Sequence, residues 1–197
     1  MTSSRDTTKP DHMKAYLGRM TPKEPSPPRK PMPAILWSWL GSLVGIYAIG
    51  VIAPFMADRL GLEGGYVIGA FGAAAVLVYG APMAEFSQPR NLVLGNVISA
   101  IVGVVVARNI GANGHLALPA AIAVSSSVLF MHLARAMHPP GGATALIAVA
   151  GGDAIRVLGY WYVLFPVLSG VLVLLVGALV VNNLSRHPHR HYPRYWI

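Results

Sequence analysis

Residues 138–146 read His138-Pro139-Pro140-Gly141-Gly142-Ala143-Thr144-Ala145-Leu146, and they interrupt an otherwise apolar half of the chain. The fixed φ of proline suits the first turn of a helix, and glycine leaves the neighbouring backbone N–H groups uncovered. The stretch therefore predicts a loop that becomes a helix near Pro140. Such a helix end carries a partial positive charge and is a typical anion site. The alternative is a tight connection between two buried helices.

The composition is that of a membrane protein. Of the 197 residues, 54% are hydrophobic and only 11% are charged, whereas soluble domains carry about 25% charged residues. The absence of cysteine excludes disulfides and thiolate metal sites. The net charge of +8 is concentrated in the two tails, which argues against nucleic acid as a partner, because nucleic-acid-binding domains place Lys and Arg along a folded face.

Apolar runs predict an all-α, polytopic transmembrane bundle of five or six helical segments, with short helices after proline-containing loops. Residues 1–33 are expected to form a disordered, basic, proline-rich tail, residues 34–184 the transmembrane domain, and residues 185–197 a basic His/Arg-rich tail that is solvated or faces lipid. Two runs are short for a hydrocarbon core of ~30 Å, the third and the fifth of this series: 34–56, 66–83, 92–107, 116–137, 141–152 and 160–181.

Both tails are basic, and Lys/Arg-rich ends remain in the cytoplasm. An even number of crossings follows, so the fifth segment is expected to span as one of six. The alternative is a segment that enters the membrane and returns, which gives five crossings and an external C-terminus. The expected location is the plasma (inner) membrane of a bacterium, with both termini cytoplasmic.

Two loops look alike. Gln88-Pro89-Arg90-Asn91 opens the short third span, and Met137-His138-Pro139-Pro140 opens the short fifth span. A pair of short, Gly/Pro-interrupted segments in corresponding places points to a transport site. A weak internal repeat, residues 66–107 against 117–156, is one interpretation; the general likeness of Gly/Ala-rich membrane helices is the other. We expect Arg90 and His138 to lie near one another in one cavity.

The candidate substrate-binding residues lie in these loops or on polar helix stripes beside them: His138, Pro139, Pro140, Gly141, Gly142, Ala143, Thr144, Arg90, Asn91, Asn96, Ser99, His132 and Arg135. The amides of residues 141–143 are predicted to hold the anion, with a hydroxyl from Thr144 and a charge from Arg90 or Arg135. His138 either changes protonation with pH or fixes the loop by a hydrogen bond. His132 is either a pathway residue or a ring that is hydrogen-bonded to a neighbouring helix or lies at the membrane interface.

The His-Pro-Pro triplet resembles the signature of the HPP family of integral membrane proteins. Other blocks are similar to that family in the same order, over about residues 37–192: Phe71-Gly72-Ala73-Ala74-Ala75-Val76-Leu77, Gln88-Pro89-Arg90-Asn91, Ser99-Ala100-Ile101-Val102-Gly103-Val104, Gly159-Tyr160, Pro166-Val167-Leu168 and Asn182-Asn183-Leu184. One departure is Leu94-Gly95-Asn96, which often reads Gly-Gly-His in the family, so this chain has no titratable ring at position 96.

The resemblance implies a function, because family members in chloroplasts and cyanobacteria are associated with nitrite transport. We therefore expect a transporter or channel for a small monovalent anion, with nitrite favoured. The alternative is a membrane-embedded sensory or binding module without transport, since some bacterial relatives join this domain to nucleotide-sensing domains. No nucleophile motif or acid–base pair predicts an enzyme, and no cofactor or metal is expected. The expected partners are the lipid bilayer, a small inorganic anion and, as an open alternative, further copies in a homo-oligomer.

Overall fold

The structure, a computed structural model, describes residues 12–59, 69–110 and 115–197. Within these ranges every regular element is a helix, which confirms the predicted all-α bundle. Among the described residues, those up to Pro31 and those from Met32 onward form two separate units. The helices are α1 His12–Gly18, α2 Met32–Arg59, α3 Gly69–Gly80, α4 Pro89–Asn109, α5 Ala117–Leu133, α6 Pro139–Ala150, α7 Asp153–Leu158 and α8 Ser169–Leu184. The predicted start of the second span, at Tyr66, lies outside the described residues.

The sequence predicts a disordered N-terminal segment, but part of this segment is helical. His12–Gly18 form the short helix α1, because the dense series of prolines begins only at Pro22. The membrane domain then begins at Met32 rather than at residue 34. Pro33 is the second residue of α2, where its missing N–H costs no helical hydrogen bond.

Three helical stretches have the length and composition to cross a membrane: Met32–Asp58, Pro89–Asn109 and Val163–Leu184. The prediction that the third span is short was wrong. Pro89, Arg90 and Asn91, which were assigned to a loop, form the first turn of α4, so this helix has 21 residues. The apolar helices α3, α5 and α6 are shorter, with 12, 17 and 12 described residues. A turn over Val163–Leu168 that contains Pro166 leads into α8.

Contacts between the loops define the two ends of the bundle. At one end, here called the tail face, the start of α2, the 81–88 loop, the 134–138 loop and the 185–197 tail come together. At the other end, the opposite face, lie the end of α4, the end of α6 and α7. The chain enters and leaves residues 32–184 at the tail face, which is the arrangement expected for an even number of crossings.

Tyr79 joins α2, α3 and α8. Its ring lies against Gly41 and Gly45 of α2 and Gly177 of α8, positions where a Cβ would collide with it. Its hydroxyl donates a hydrogen bond to the Leu174 carbonyl at 3.3 Å. Small residues permit such close approach between membrane helices, where dispersion and hydrogen bonding replace the hydrophobic effect as the main attraction.

The C-terminal tail packs into the bundle, and the prediction of a solvated or lipid-facing segment was wrong for its central residues. Arg190 is only 3% exposed, and Tyr192 is also buried. The Arg190 guanidinium donates to the Ala34 and Tyr79 carbonyls at 3.1 and 2.8 Å, and to the Asn182 side chain at 2.8 Å. The composition suggested a solvated tail because it shows the charge of the tail but not the hydrogen-bond partners that the fold provides. Two backbone carbonyls and an amide oxygen accept from its Nη1 and Nη2 groups, while Arg190 Nε has no hydrogen-bond partner among the described residues.

Candidate functional site

The most extensive helix contact in the described bundle is between α4 and α6, and we call this interface the α4–α6 seam. At Gly103 of α4, a Cβ would lie 2.7 Å from both the carbonyl oxygen of Ala145 and the Cβ of Ala148. At Gly141 of α6, it would lie 2.6 Å from the Ser99 hydroxyl and 2.9 Å from the Gly95 carbonyl. The glycines of the signature therefore permit backbone contact between the two helices.

The seam carries polar groups but no charge of its own. Asn96 and Ser99 of α4 and Thr144 of α6 are all buried. The Thr144 hydroxyl donates to the Asn96 side-chain oxygen at 2.7 Å, and the Asn96 amide donates to the Leu92 carbonyl at 2.8 Å. The sequence had placed Asn96 and Ser99 on one helix stripe, and the structure directs that stripe at α6. Ser99 Oγ has no hydrogen-bond partner among the described residues.

At the tail face, the two proline-containing segments contact each other. Arg90 Nη2 donates to the Ala134 carbonyl and Asn91 Nδ2 donates to the Met137 carbonyl, both at 2.8 Å. The predicted proximity of these segments is therefore present. The predicted cavity is not, because Asn91 and His138 are packed in the interior, each at most 1% exposed. Both segments begin a helix with proline at its first position, although α4 is much longer than α6.

His138 fixes the signature loop. Its Nδ1 lies 2.7 Å from the Phe86 carbonyl oxygen, so the proton must be on Nδ1, and Nε2 is buried without a hydrogen-bond partner among the described residues. Burial lowers the pKa of His138 to about 4, and the hydrogen bond to Phe86 opposes this shift. The lowered pKa keeps the ring neutral near pH 7 in this folded state and favours the structural alternative, while the proton role stays a prediction.

The predicted anion site on the α6 amides also needs correction. Pro139 and Pro140 have no N–H, and the Gly141 N–H already donates to the His138 carbonyl at 2.8 Å. Gly142 and Ala143 come fourth and fifth in α6, where helical geometry directs each N–H to the carbonyl four residues earlier. The first turn of α6 therefore has no uncovered amide for a ligand. A generic helix end has free amide donors, but Pro139 and Pro140 remove two of them from this one.

Two other candidates lie outside this site. His132 is on the last turn of α5 and is exposed, away from the seam. Arg135 is also exposed and adopts a positive φ of 51°. His132 and Arg135 therefore do not join Asn96, Ser99 and Thr144. A position within an apolar run indicates depth in the membrane, but it does not indicate which face of the helix looks inward.

A pocket of about 320 Å³ lies at the opposite face, between the ends of α4 and α6 and helix α7. Its lining includes two arginines that the sequence analysis did not select, Arg108 and Arg156, together with Val104 and Ala148 from the two seam helices. Gly159 completes the rim, where a Cβ would lie 3.1 Å from Arg108 Nη1. One signal for this site was present in the sequence, since both arginines flank Gly-rich turns.

The charges in this pocket are incompletely compensated. The Arg108 guanidinium carbon lies 5.4 Å from the centroid of the Tyr160 ring, a cation–π contact that orients the side chain without neutralising it. Arg156 Nη1 is 3.7 Å from Asp153 Oδ1, and the Asp153 side chain is 95% exposed. An exposed pair at that distance is weak. The pocket therefore has one excess positive charge, with guanidinium donors available to an oxyanion.

Comparison with known families decides the assignment. The model of the HPP transmembrane region matches residues 27–193. The chain belongs to the HPP transmembrane family. Two transmembrane proteins of Dictyostelium discoideum are each 40% identical to it, over 94% and 92% of this chain. The chain spans 63% and 57% of the lengths of these relatives. No solved structure matches it.

The HPP triplet itself supports a prediction about stability. The pKa of His138 is about 4 in the folded state and about 6.5 in the unfolded state. The stability associated with the neutral ring is therefore fully present above pH 6.5 and is lost as the pH falls toward 4. The full shift corresponds to about 3 kcal/mol. We expect the unfolding temperature in detergent to fall between pH 7 and 4.5, and the fall to be smaller for His138→Gln.

The matched control for this measurement is His132→Gln, which changes an exposed ring on the same side of the bundle. That variant should lose stability with falling pH as the wild type does, since its buried His138 ring is unchanged. An identical pH dependence in His138→Gln and the wild type would contradict the assignment of a buried neutral ring.

Proposed function

We propose that this HPP-family chain is a transporter or channel for a small monovalent anion, with nitrite as the favoured substrate. The observation that carries the proposal is the two-arginine pocket at the end of the α4–α6 seam. An anion that leaves water must have its lost hydrogen bonds replaced, because an unpaired charge in a low dielectric is very costly. Arg108 and Arg156 offer such donors at the mouth of the bundle.

The strength of this site suits transport rather than storage. Conduction requires binding that is favourable enough for capture and weak enough for release. Tyr160 and Asp153 compete for the two guanidinium groups, and both arginines are in contact with solvent. We infer that the pocket concentrates anions at the opposite face and binds them weakly enough to release them.

The seam is the proposed route from that pocket. Val104 and Ala148 line the pocket and belong to the same two helices whose polar groups continue toward the tail face. Polar residues within a membrane usually face the bundle interior or a water-filled cavity, and they often mark a substrate path. Ser99 Oγ, a hydroxyl that either donates or accepts, is buried there without a described partner. Passage would require α4 and α6 to separate, since Gly103 and Gly141 now contact opposing backbone.

The basic tails support an orientation for this route. With both termini in the cytoplasm, the tail face lies on the cytoplasmic side and the two-arginine pocket faces the outside. The pocket would then bind the anion before uptake. A bacterial plasma membrane as the location stays a prediction.

A second candidate function is a membrane-embedded binding or sensory module. The closed packing of the seam favours it, because a ligand on Arg108 and Arg156 would shift the end of α7 without crossing the membrane. The two functions differ in one measurable property. A transporter moves the anion into a sealed vesicle, whereas a sensor binds it and leaves the internal concentration unchanged.

The experiment is flux into proteoliposomes with nitrite, nitrate, chloride and formate offered in turn. For the transport proposal we expect uptake of at least one of these anions at a rate at least tenfold above that of protein-free liposomes, with nitrite fastest. The same preparation should be tested for binding by the change in unfolding temperature. Binding without uptake of any of the four would assign the chain to the sensory class.

A further inference from the structure

A groove of about 700 Å³ runs along the outer surface of the bundle, between α4 and α5. It is lined almost entirely by aliphatic and aromatic side chains, among them Ile101, Val105, Phe130 and Leu133. These four are between 39% and 71% exposed. The shape and apolar lining of this surface fit an extended hydrocarbon chain.

Along α5, the groove is nearly as long as one leaflet of a bilayer. On α5 its lining extends from Ser126 to Ala134, a distance of about 12 Å at the helical rise of 1.5 Å per residue. One leaflet contributes about 15 Å to a hydrocarbon core of ~30 Å. Ala134 lies at the tail face, and on α4 the lining extends from Ile98 to Val106, near the end of that helix at the opposite face, so the groove runs from the surface at the tail face to beyond the midplane.

Positive charge is gathered where the groove reaches the membrane surface. Arg90 Nη2 donates to the carbonyl of Ala134, which itself lines the groove. Arg90 Nε is buried without a hydrogen-bond partner among the described residues. Arg135 follows Ala134 directly, is exposed, and adopts a φ of 51°. Guanidinium groups bind phosphate through two parallel hydrogen bonds, a geometry that lysine lacks.

We propose that an anionic phospholipid binds in this groove, with one acyl chain between α4 and α5 and its phosphate on Arg90 and Arg135. This pairing of an apolar groove with cationic groups at its mouth is complementary to a lipid in both parts. A second copy of the chain is disfavoured as the occupant. Under a two-fold axis along the membrane normal, Arg135 of both copies would lie at the same level and repel.

The lipid has a structural consequence for the signature loop. Arg90 and Asn91 hold the carbonyls of Ala134 and Met137, and His138 follows immediately. A phosphate on Arg90 would fix the guanidinium that secures this segment. The bound lipid therefore stabilises the loop between α5 and α6 from the membrane side.

The test compares phosphatidylglycerol with phosphatidylcholine of identical acyl chains, added to the detergent-solubilised full chain. A ligand that binds only the folded state raises its unfolding temperature. We expect phosphatidylglycerol to raise this temperature by about 5 °C, phosphatidylcholine by less than half as much, and inorganic phosphate or glycerol phosphate not at all. Native mass spectrometry should retain one phosphatidylglycerol per chain.

Variants separate the two parts of the site. The Arg90→Gln/Arg135→Gln double variant should lose the preference for phosphatidylglycerol but keep the smaller phosphatidylcholine shift. Val105→Trp, which fills the groove from a lipid-facing position, should lose both shifts. Arg186→Gln, an exposed arginine of the tail, should behave as the wild type.

Three results would overturn the proposal. Equal shifts in unfolding temperature with the two lipids would contradict the proposed phosphate contact. A preference for phosphatidylglycerol that remains in the double variant would place the headgroup contact on other residues. A dimer that dissociates in Val105→Trp would assign the groove to a second copy of the chain.

Discussion

Arg190→Ala is expected to lower the free energy of unfolding by about 3 kcal/mol or more. The guanidinium satisfies the Ala34 and Tyr79 carbonyls and the Asn182 side-chain oxygen in a buried position. Alanine removes the donor that Arg190 provides to the Tyr79 carbonyl and the Asn182 oxygen. The Ala34 carbonyl still accepts from the Ser38 hydroxyl. Each buried polar group left unsatisfied costs about 1–3 kcal/mol. The tail, α2, α3 and α8 would lose the side chain that joins all four.

The measurement is equilibrium or thermal unfolding in detergent, with Arg194→Ala as the matched control. Arg194 is a nearby, exposed arginine of the same tail, and its side chain donates to the Met83 carbonyl at 3.1 Å. Its removal is expected to change stability by less than about 1 kcal/mol. Equal effects of Arg190→Ala and Arg194→Ala on the free energy of unfolding would contradict the packing of the tail into the bundle and would indicate a solvated segment.

Gly103→Ala is expected to lower stability by about 1–3 kcal/mol, the usual cost of overpacking. The new methyl group would lie 2.7 Å from the Ala145 carbonyl oxygen and from the Ala148 Cβ. Because the first of these atoms belongs to the backbone of α6, the two helices must separate. The same change should therefore disturb the seam and the pocket that Val104 and Ala148 line.

Gly72→Ala is expected to have the opposite effect on stability. Gly72 lies within α3, and a Cβ at this position meets nothing within 4 Å. Alanine is a better helix former than glycine by about 0.5–1 kcal/mol, so this variant should be slightly more stable than the wild type. If Gly103→Ala also stabilised the protein, the close α4–α6 contact would be incorrect.

Much of the fold could be predicted from the sequence, because apolar run length and proline position are direct physical signals. Pro89 and Pro139 each begin a helix, as proline at a first helical position does. The length of α4 was underestimated because Arg90 and Asn91 look like loop residues. In the fold they use α5–α6 loop carbonyls as hydrogen-bond partners, and such contacts across 44 and 46 residues leave no local signal.

The candidate site was predictable only in part. The stripe that contains Asn96 and Ser99 follows from helical period alone, and it does face α6. The hydrogen-bond partners and the protonation state could not be predicted in the same way. The Gly141 N–H donates to the His138 carbonyl, and burial keeps the His138 ring neutral. Arg108 and Arg156 were missed because they are 48 residues apart in sequence. Their approach depends on how α7 packs at the end of the bundle.

The most direct test of anion transport through this site is nitrite uptake into sealed proteoliposomes. It compares the wild type with Arg108→Gln/Arg156→Gln and with the exposed tail variant Arg186→Gln, at matched protein incorporation. Since the double variant removes both guanidinium groups that would replace the hydration of the anion, we predict uptake at least tenfold slower than the wild type at low nitrite. Arg186→Gln should take up nitrite at the wild-type rate. Uptake by the double variant at the wild-type rate, or uptake by the wild type no faster than in protein-free liposomes, would contradict the account.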